Sequence, residues 1–314
     1  MNGYMPPSDT AESVTSGHPD KLCDAISDAI LDECLRIDSN ARVAVETMVK
    51  GIGGEAVIIL AGEVSLNGPA PDYERIARDK ATSIGYTDSR IGMDASSSEL
   101  CNVLTYITTQ SQFISQGVDG DLATQGAGDQ GVMFGYACIE TEQTEELRGR
   151  FFPLAAALSQ RLTRRLEQVH SEQIIPWIRP DGKSQVTVQI DKKNNQPVRI
   201  STIVIAAQHA PDAGPNWPDK NSLSEEERRL YIEAEIRKHV VEHAIPSSLM
   251  NDPEVIVNGT GSFPDPGGPY ADAGLTGRKI IVDTYGGGRH GGGAFSGKDP
   301  SKVDRSAAYY ARWA

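Results

Sequence analysis

The sequence predicts an α+β protein in which helices pack on one face of mostly antiparallel sheets. Long amphipathic helices alternate with paired, β-rich segments, and this pattern recurs about three times along the 314 residues. A chain of this length can bury a large core and form two or three domains. Residues 16–21 and 296–302 also share one order of residue types, which is weak support for duplicated units.

Helices are predicted where apolar residues recur every three or four positions. The first carries Pro19 in its first turn, and the second ends at Gly85, a residue suited to the left-handed C-cap conformation. A later helix opens on a capping box of Ser224 and Glu227, and the last is expected to be capped by Ser301. The predicted helices span 19–37, 72–84, 153–169 and 224–241, with a final one after Ser301.

Strands are predicted where short apolar, β-branched segments lie between turn residues. Two of them flank the glycine-rich turn 51–54 and are expected to form a hairpin. The predicted strands are 42–49, 56–64, 103–108, 132–139, 185–190, 198–206, 254–258 and 279–283. The polar stretches 110–131 and 176–183 are expected to be loops, and the length of the first is typical of a lid or binding loop.

Composition excludes several classes of protein. The net charge of −13 argues against a general nucleic-acid binder, because phosphate backbones require a basic face. No apolar run approaches the ~20 residues that span a bilayer, and the N-terminus lacks the features of a signal peptide. Because the cysteines show no C-x-x-C spacing, buried reduced thiols and a cytoplasmic setting are expected for Cys23, Cys34, Cys101 and Cys138.

The most informative stretch is 285–302, here called the glycine loop. It combines seven glycines with Arg289, His290, Lys298 and Lys302. A backbone with so few Cβ atoms can turn its N–H groups onto an anion, and a predicted strand before it and a helix after it suit polyphosphate. Positions 292–298 match G-x-x-x-x-G-K, but a Walker A loop then needs Ser or Thr, where this sequence has Asp299. A P-loop is therefore not expected here. A flexible linker would seldom interleave four cations with its glycines.

Carboxylates beside such loops have two interpretations. Asp20 follows His18 at a helix start, where it could hold Mg²⁺ beside a phosphate or simply belong to the helix cap. Asp304 has the same two interpretations at the last helix, and the recurrence favours a Mg–polyphosphate site. Glu46 and Glu63 lie on adjacent predicted strands, where they either need a partner in the interior or face solvent.

Five stretches, 17–21, 126–131, 179–187, 274–285 and 290–309, closely resemble the S-adenosylmethionine synthetase (methionine adenosyltransferase) family. The resemblance implies three related α+β domains around a pseudo-threefold axis, expected at 1–115, 116–245 and 246–314, with the third partial. It also implies homodimers or dimers of dimers with active sites between two subunits. ATP and L-methionine are the implied substrates, Mg²⁺, as two ions, and K⁺ the implied cofactors, with no nucleic acid or membrane as partner.

The implied reaction has two steps. Methionine sulfur attacks C5′ of ATP and displaces triphosphate, which is then hydrolysed to pyrophosphate and phosphate. When the family's roles are assigned to the matching motifs of this sequence, His18 and Lys183 are expected to face the departing triphosphate. They are also the implied catalytic residues. The phosphate clamp is expected to comprise Arg278, Lys279 and Lys298. The nucleotide contacts are expected to be Asp181, Phe263 and Ala294.

The resemblance also assigns the metal and methionine sites. The expected Mg²⁺ ligands are Asp20 and Asp304, and the expected K⁺ ligands are Glu46 and Asp272. The expected methionine pocket comprises Glu63, Gln110, Asp129, Asp272 and Lys302.

Three departures from the family bear on function. The family's mobile lid carries Gln112-Phe113 where Pro-Asp is common, which would alter gating or substrate preference. The glycine loop is one residue short before His290, which would shift Arg289. The family also continues beyond residue 314, so the alternative is a catalytically silent homologue that acts as a binding or regulatory partner of a full-length subunit.

Overall fold

The computed structural model of the chain describes residues 7–109, 130–191, 193–194, 196–211, 223–287 and 289–314. The predicted lid, with Gln110 and Asp129 of the expected methionine pocket and with Gln112 and Phe113, lies outside the described residues.

The strands alternate with helices along the described chain. The strands are β1 (Ser8–Val14), β2 (Arg42–Ile52), β3 (Glu55–Ser65), β4 (Thr87–Asp88), β5 (Met93–Asp94), β6 (Cys101–Thr108), β7 (Ile178–Asp191), β8 (Gln196–His209), β9 (Glu254–Val257) and β10 (Gly274–Leu275). The α-helices are α1 (Pro19–Ile37), α2 (Tyr73–Ile84), α3 (Leu154–Ser171), α4 (Glu225–Ile236), α5 (Glu242–Ala244), α6 (Gly268–Ala271), α7 (Ile280–Asp283) and α8 (Val303–Trp313). Short 3₁₀ turns occupy Ser89–Ile91, Glu140–Gln143, Glu145–Leu147 and Ser247–Leu249, and a π-turn, Arg237–Val241, joins α4 to α5.

The chain divides into two compact units, each assembled from three segments. Unit 1 comprises Met1–Thr15, Tyr136–Asp265 and Ile281–Arg289. Unit 2 comprises Ser16–Gly135, Pro266–Ile280 and His290–Ala314. The boundary between the last two segments falls inside the glycine loop, after Arg289.

Unit 1 contains a four-stranded sheet in the order β1-β7-β8-β9, antiparallel except for the parallel pair β8 and β9. Helix α3 packs on it because Leu158, Leu162 and Leu166 recur at helical spacing and are buried. The predicted capping box opens α4, since the Ser224 hydroxyl accepts from the Glu227 N–H and the Glu227 carboxylate accepts from the Ser224 N–H at 2.7 Å.

Unit 2 contains a second four-stranded sheet, β10-β2-β3-β6, in which only β3 and β6 are parallel within the described strands. The β2–β3 hairpin turns at Gly53 and Gly54, both at positive φ, as a two-residue turn of this type requires. Helices α1 and α2 cover one face of this sheet, and their apolar side chains form one core with those of β2 and β3. The predicted α+β class, with helices on one face of mostly antiparallel sheets, is confirmed.

Four local predictions are wrong. Residues 132–139 form no strand; no described strand pairs with them, and Val132, Phe134 and Ile139 are exposed. Residues 178–183 are strand instead of loop, because β8 pairs with Ile178, Gly182 and Lys183 and the Thr15 N–H donates to the Gly182 carbonyl at 2.9 Å.

The other two wrong predictions concern the segments at the two ends of the glycine loop. The segment before it is the helical turn α7 instead of a strand, and the Gly286 N–H donates back to the Ile281 carbonyl at 3.1 Å, so the chain turns instead of extending. Ser301 does not cap α8, whose N-cap is Lys302, with no side-chain cap hydrogen bond.

The predicted thiols are confirmed for three of the four cysteines. Cys23, Cys34 and Cys101 are buried free thiols, and Cys138 is half-buried. Burial raises the pKa of Cys34 and of Cys101 to about 11, so both stay protonated and unreactive at neutral pH. Among the described helices, none combines the length and apolar character needed to cross a bilayer.

Candidate active site

The open face of the unit 2 sheet carries both strand glutamates. In the β2–β3 register Glu46 lies opposite Ala61, and Glu63 lies opposite Ala44, so both glutamates share the face that α1 does not cover. Glu46 is exposed and Glu63 is half-buried, which matches the solvent-facing interpretation for Glu46. Neither is a buried core carboxylate.

A cavity of about 300 Å³ opens beside these glutamates. Four predicted site residues line it together: Glu46, Glu63, Ala294 and Lys298. Thr276 also lines it and escaped prediction from the sequence. The structure thus brings together, within one unit, residues expected at the potassium, methionine, nucleotide and phosphate sites.

The second half of the glycine loop docks on β2. The Val45 N–H donates to the Gly297 carbonyl at 3.1 Å, and the Asp299 N–H donates to the Val43 carbonyl at 3.1 Å, so the loop continues the sheet edge beside β10. Gly297 has φ +76°, and a Cβ there would lie 2.0 Å from the Val45 carbonyl oxygen. Glycine at 297 is therefore required by both conformation and space.

Asp299 fastens the same loop from within. Its side chain is buried and accepts hydrogen bonds from the N–H groups of Val43 at 2.6 Å and Ser301 at 2.9 Å. It also contacts the Lys302 ammonium. Burial alone raises the pKa of Asp299, but Lys302 and these donors hold that pKa below its usual value. The residue that breaks the Walker pattern is thus a charged anchor, and it organises the turn for which Ser301 was predicted to provide a cap.

Lys298 and Asp304 form an ion pair at the N-terminus of α8. The Lys298 Nζ lies 2.7 Å from the Asp304 Oδ2, and the Gly293 N–H donates to Oδ1 at 3.3 Å. Asp304 lies in the first turn of α8, where the helix dipole favours a carboxylate. One expected metal ligand and one expected phosphate ligand are therefore adjacent.

The backbone of the glycine loop is less available than the sequence suggested. The N–H of Gly293 donates to Asp304, that of Gly297 to Asp28, and that of Lys298 to the Phe295 carbonyl. The Asp299 N–H is committed to β2. At these four positions the loop offers an anion its side-chain cations, not its backbone donors.

The start of α1 forms a second cationic cluster in unit 2. Asp20 is buried; its Oδ2 lies 2.5 Å from the Lys279 Nζ, and its Oδ1 lies 3.7 Å from the Arg278 Nε. The Leu275 N–H also donates to Oδ1 at 2.9 Å. Burial raises the pKa of Asp20, but Lys279 and the Leu275 N–H outweigh it and hold the pKa below its usual value.

His18 is the N-cap of α1. Its Nδ1 accepts from the Asp20 N–H at 3.2 Å, so His18 provides the cap and a neutral ring carries its proton on Nε2. The buried Tyr86 hydroxyl donates to the Gly17 carbonyl and fixes the backbone directly before His18.

A buried hydroxyl network holds the segment that carries Arg278 and Lys279. The Ser27 hydroxyl lies 2.8 Å from the hydroxyls of both Thr47 and Thr276, and the Thr47 N–H donates to the Thr276 hydroxyl at 2.9 Å.

Asp272, the expected ligand of K⁺ and methionine, is exposed at the end of α6. It precedes β10, which pairs with β2 at Met48 and Val49.

Unit 1 carries three more of the predicted residues. Asp181 and Lys183 lie on β7, and Phe263 lies in the loop after β9. Asp181 is buried, whereas Lys183 is half-exposed and forms a 2.6 Å ion pair with Glu12 of β1. No local pattern marks Glu12 as a site residue, because only the β1–β7 pairing brings it near Lys183.

Arg289 is engaged inside unit 1. Its Nη1 lies 3.4 Å from the Asp9 Oδ2, and its guanidinium stacks over the Tyr136 ring at 4.6 Å. Burial lowers the pKa of Arg289, but Asp9 and Tyr136 raise it above its usual value. This cation therefore anchors the first half of the glycine loop.

No group of three or more His, Cys, Asp or Glu side chains in the described part of the chain is arranged to hold a metal ion by itself. The two expected Mg²⁺ ligands, Asp20 and Asp304, each contact a lysine ammonium in this structure.

Known proteins match this chain along its length. The chain matches the family models for the S-adenosylmethionine synthetase N-terminal domain over residues 8–112, the central domain over 124–263 and the C-terminal domain over 266–314. It is 47% identical over 315 aligned positions to S-adenosylmethionine synthase of Brachyspira hyodysenteriae. The alignment covers 97% of this chain and 72% of that protein. The chain belongs to the S-adenosylmethionine synthetase family.

Proposed function

We propose that this protein synthesises S-adenosylmethionine from ATP and L-methionine. The observation that carries the proposal is the unit 2 cavity, where Glu46, Glu63, Ala294 and Lys298 meet in a member of this family. These residues come from the β2–β3 hairpin and from the glycine loop, which are far apart in sequence, so their convergence is a property of the fold.

The proposed chemistry is substitution at carbon. The methionine sulfur donates an electron pair to C5′ of ATP and forms the S–C5′ bond, while the C5′–O bond breaks and its electron pair leaves with the triphosphate. The sulfur becomes a sulfonium centre. Water then splits the triphosphate into pyrophosphate and phosphate.

Catalysis of the first step rests on stabilising the leaving polyanion. Lys279, Lys298 and Arg278 supply fixed positive charge, and the two lysines are already held by Asp20 and Asp304. Such preorganised cations require little rearrangement when negative charge develops on the departing oxygen. His18 and Lys183 are proposed to face the same group.

Asp20 and Asp304 would hold Mg²⁺, and Glu46 with Asp272 would hold K⁺. Bound Mg²⁺ would neutralise phosphate charge. The protein's own part is to hold the lysines and to keep Asp20 ionised, as its lowered pKa indicates.

The methionine end would use carboxylates for the amino group and a lysine for the carboxylate. Glu63 faces the cavity, and Lys302 is held by Asp299. Gln110, Asp129 and Asp272 complete the proposed pocket. Asp181, Phe263 and Ala294 are proposed to contact the nucleotide.

We also propose a homodimer. The open face of the unit 2 sheet carries exposed apolar side chains in register with Glu46: Met48, Leu104, Tyr106 and Leu275. A contiguous apolar face beside a binding cavity is typical of a protein interface. A second copy of the chain covering it fits the expected active sites between subunits.

The direct test is to incubate the purified protein with ATP, methionine, Mg²⁺ and K⁺ and to detect products by mass spectrometry. S-adenosylmethionine, pyrophosphate and phosphate are expected in equal amounts. A folded protein that forms no S-adenosylmethionine would contradict the proposal and support the alternative of a silent binding partner.

A further inference from the structure

Arg179 and Asp265 form a bidentate ion pair inside unit 1. The Arg179 Nε donates to both carboxylate oxygens, at 2.9 Å and 3.2 Å, and Nη2 lies 2.8 Å from Oδ2. The Asp265 side chain is only 7% exposed. One guanidinium N–H shared between both carboxylate oxygens, with a second guanidinium nitrogen beside Oδ2, fixes orientation as well as distance.

A third group completes this cluster. The Gln208 Nε2 donates to the Asp265 Oδ1 at 2.9 Å, and Gln208 is fully buried at the end of β8. The Asp265 carboxylate is therefore held by donors from β7 and from β8.

The backbone of the loop follows the end of β8. The His209 N–H donates to the Phe263 carbonyl at 3.0 Å, and the Asp265 N–H donates to the His209 carbonyl at 3.0 Å. Phe263 is thus placed two residues from the carboxylate that anchors its loop.

The other side of the ion pair lies in an irregular part of β7. Pairing with β8 shifts register between Ile178 and Gly182, so the stretch that contains Arg179 and Asp181 departs from the regular ladder. Thr15 holds this stretch through its hydroxyl, which donates to the Pro180 carbonyl at 2.6 Å. Arg179 is therefore the side chain that ties this irregular stretch to the loop.

We infer that Asp265 is a positioning residue that sets the spacing between the Asp181 stretch of β7 and the Phe263 loop. Both segments are proposed nucleotide contacts, so this inference rests on the proposed function. Without the carboxylate, Arg179, which is 24% exposed, can turn to water, and the loop loses its side-chain link to β7 while it keeps its backbone hydrogen bonds to His209. Asp265 acts through these segments and touches no reacting atom.

The test compares Asp265→Asn with wild-type protein and with Asp252→Asn, a matched change at an exposed carboxylate of the same unit. Asn is tolerated at residue 252 because it readily adopts the positive φ found there. The measurements are the Kd of a non-hydrolysable ATP analogue by calorimetry, the KM values for ATP and methionine, and the melting temperature.

For Asp265→Asn we expect the analogue Kd and the KM for ATP to rise about 10-fold, because small misplacements of contacts are costly. The KM for methionine should not change, and Asp252→Asn should behave as wild type. Arg179→Lys, which keeps the charge but loses the fork, should shift the Kd in the same direction and serves if Asp265→Asn does not fold.

A lower melting temperature with unchanged nucleotide affinity would show a merely structural role and overturn the inference. Wild-type protein that binds the analogue but makes no S-adenosylmethionine would overturn the proposed function alone, since the affinity comparison still decides the role of Asp265. Wild-type protein that fails to bind the analogue would overturn both.

Discussion

At the scale of single residues, Lys298 links the cavity to the proposed phosphate clamp. It lines the cavity and is held by Asp304. Lys298→Ala should lower kcat on the order of 10²–10³-fold, the loss seen when one preorganised charge stabiliser is removed. Steady-state kinetics will measure this, with Lys193→Ala in an exposed turn as control. Turnover at the wild-type rate would remove Lys298 from the phosphate clamp.

The lowered pKa of Asp20 leads to a prediction about how the stability of the protein depends on pH. Its folded-state pKa lies below the ordinary value of 3.8, because Lys279 and the Leu275 N–H outweigh the effect of burial. A lowered pKa contributes stability that is present above the unfolded value and is lost as the pH falls through the folded value.

The free energy of unfolding of wild-type protein should therefore fall more steeply than that of Asp20→Asn as the pH drops from about 4 to about 2. Urea denaturation at a series of pH values will measure both slopes. Asp252→Asn is the control and should keep the wild-type slope. Equal slopes for wild type and Asp20→Asn would show that folding does not lower the pKa of this carboxylate.

At the scale of elements, the junction between β2 and the glycine loop is the most exacting part of the site. Gly297→Ala places a Cβ against the Val45 carbonyl at positive φ, and should destabilise the protein by roughly 2–5 kcal/mol. Gly149→Ala is the matched control, because Gly149 also has positive φ but open space around its Cα. That change should cost only about 1 kcal/mol.

Chemical denaturation of the two variants separates the clash from the conformational cost. Because the loop carries Lys298, Gly297→Ala should also lose turnover in the fraction that remains folded. Equal destabilisation by both substitutions would mean that the loop does not dock closely on β2.

Local sequence patterns predicted those elements whose cause is local. Helix α1 follows from its apolar spacing, α2 from Asp72 and Gly85 at its ends, and the β2–β3 hairpin from its two turn glycines. Each of these signals lies within a few residues of the structure that it specifies.

Long-range contacts decided the rest. The Pro180–Gly182 stretch is typical of a loop, yet it is strand because β8 pairs with Gly182 and because the Thr15 hydroxyl, 165 positions away, donates to the Pro180 carbonyl. Asp299 was predicted only to break a motif, and its role as an anchor needs the Val43 N–H on a remote strand. The cavity likewise joins residues whose side chains converge only in the folded unit.

At the scale of the whole molecule, the chain passes between its two units five times. Each unit is built from segments that are not consecutive, and most predicted site residues lie in unit 2, whereas Asp181, Lys183 and Phe263 lie in unit 1. The division into domains 1–115, 116–245 and 246–314 stays a prediction, as does the pseudo-threefold relation.

The proposed dimer is testable on the open sheet face of unit 2. Tyr106 is 64% exposed on β6, so Tyr106→Glu should bring an unpaired charge into an apolar interface and favour monomers. Sedimentation velocity will measure this. Val198→Glu is the control, since Val198 is 63% exposed on β8 of unit 1. A Tyr106→Glu protein that sediments as wild type would place the dimer interface elsewhere.

In the proposed reaction, sulfur attacks carbon and triphosphate leaves with the bridging oxygen. ATP carrying ¹⁸O between C5′ and the α-phosphorus shows which bond breaks. Mass spectrometry of the products should find the label entirely in pyrophosphate or phosphate and none in the nucleoside product. Label retained on the nucleoside would show cleavage of the phosphorus–oxygen bond and would overturn the proposed mechanism.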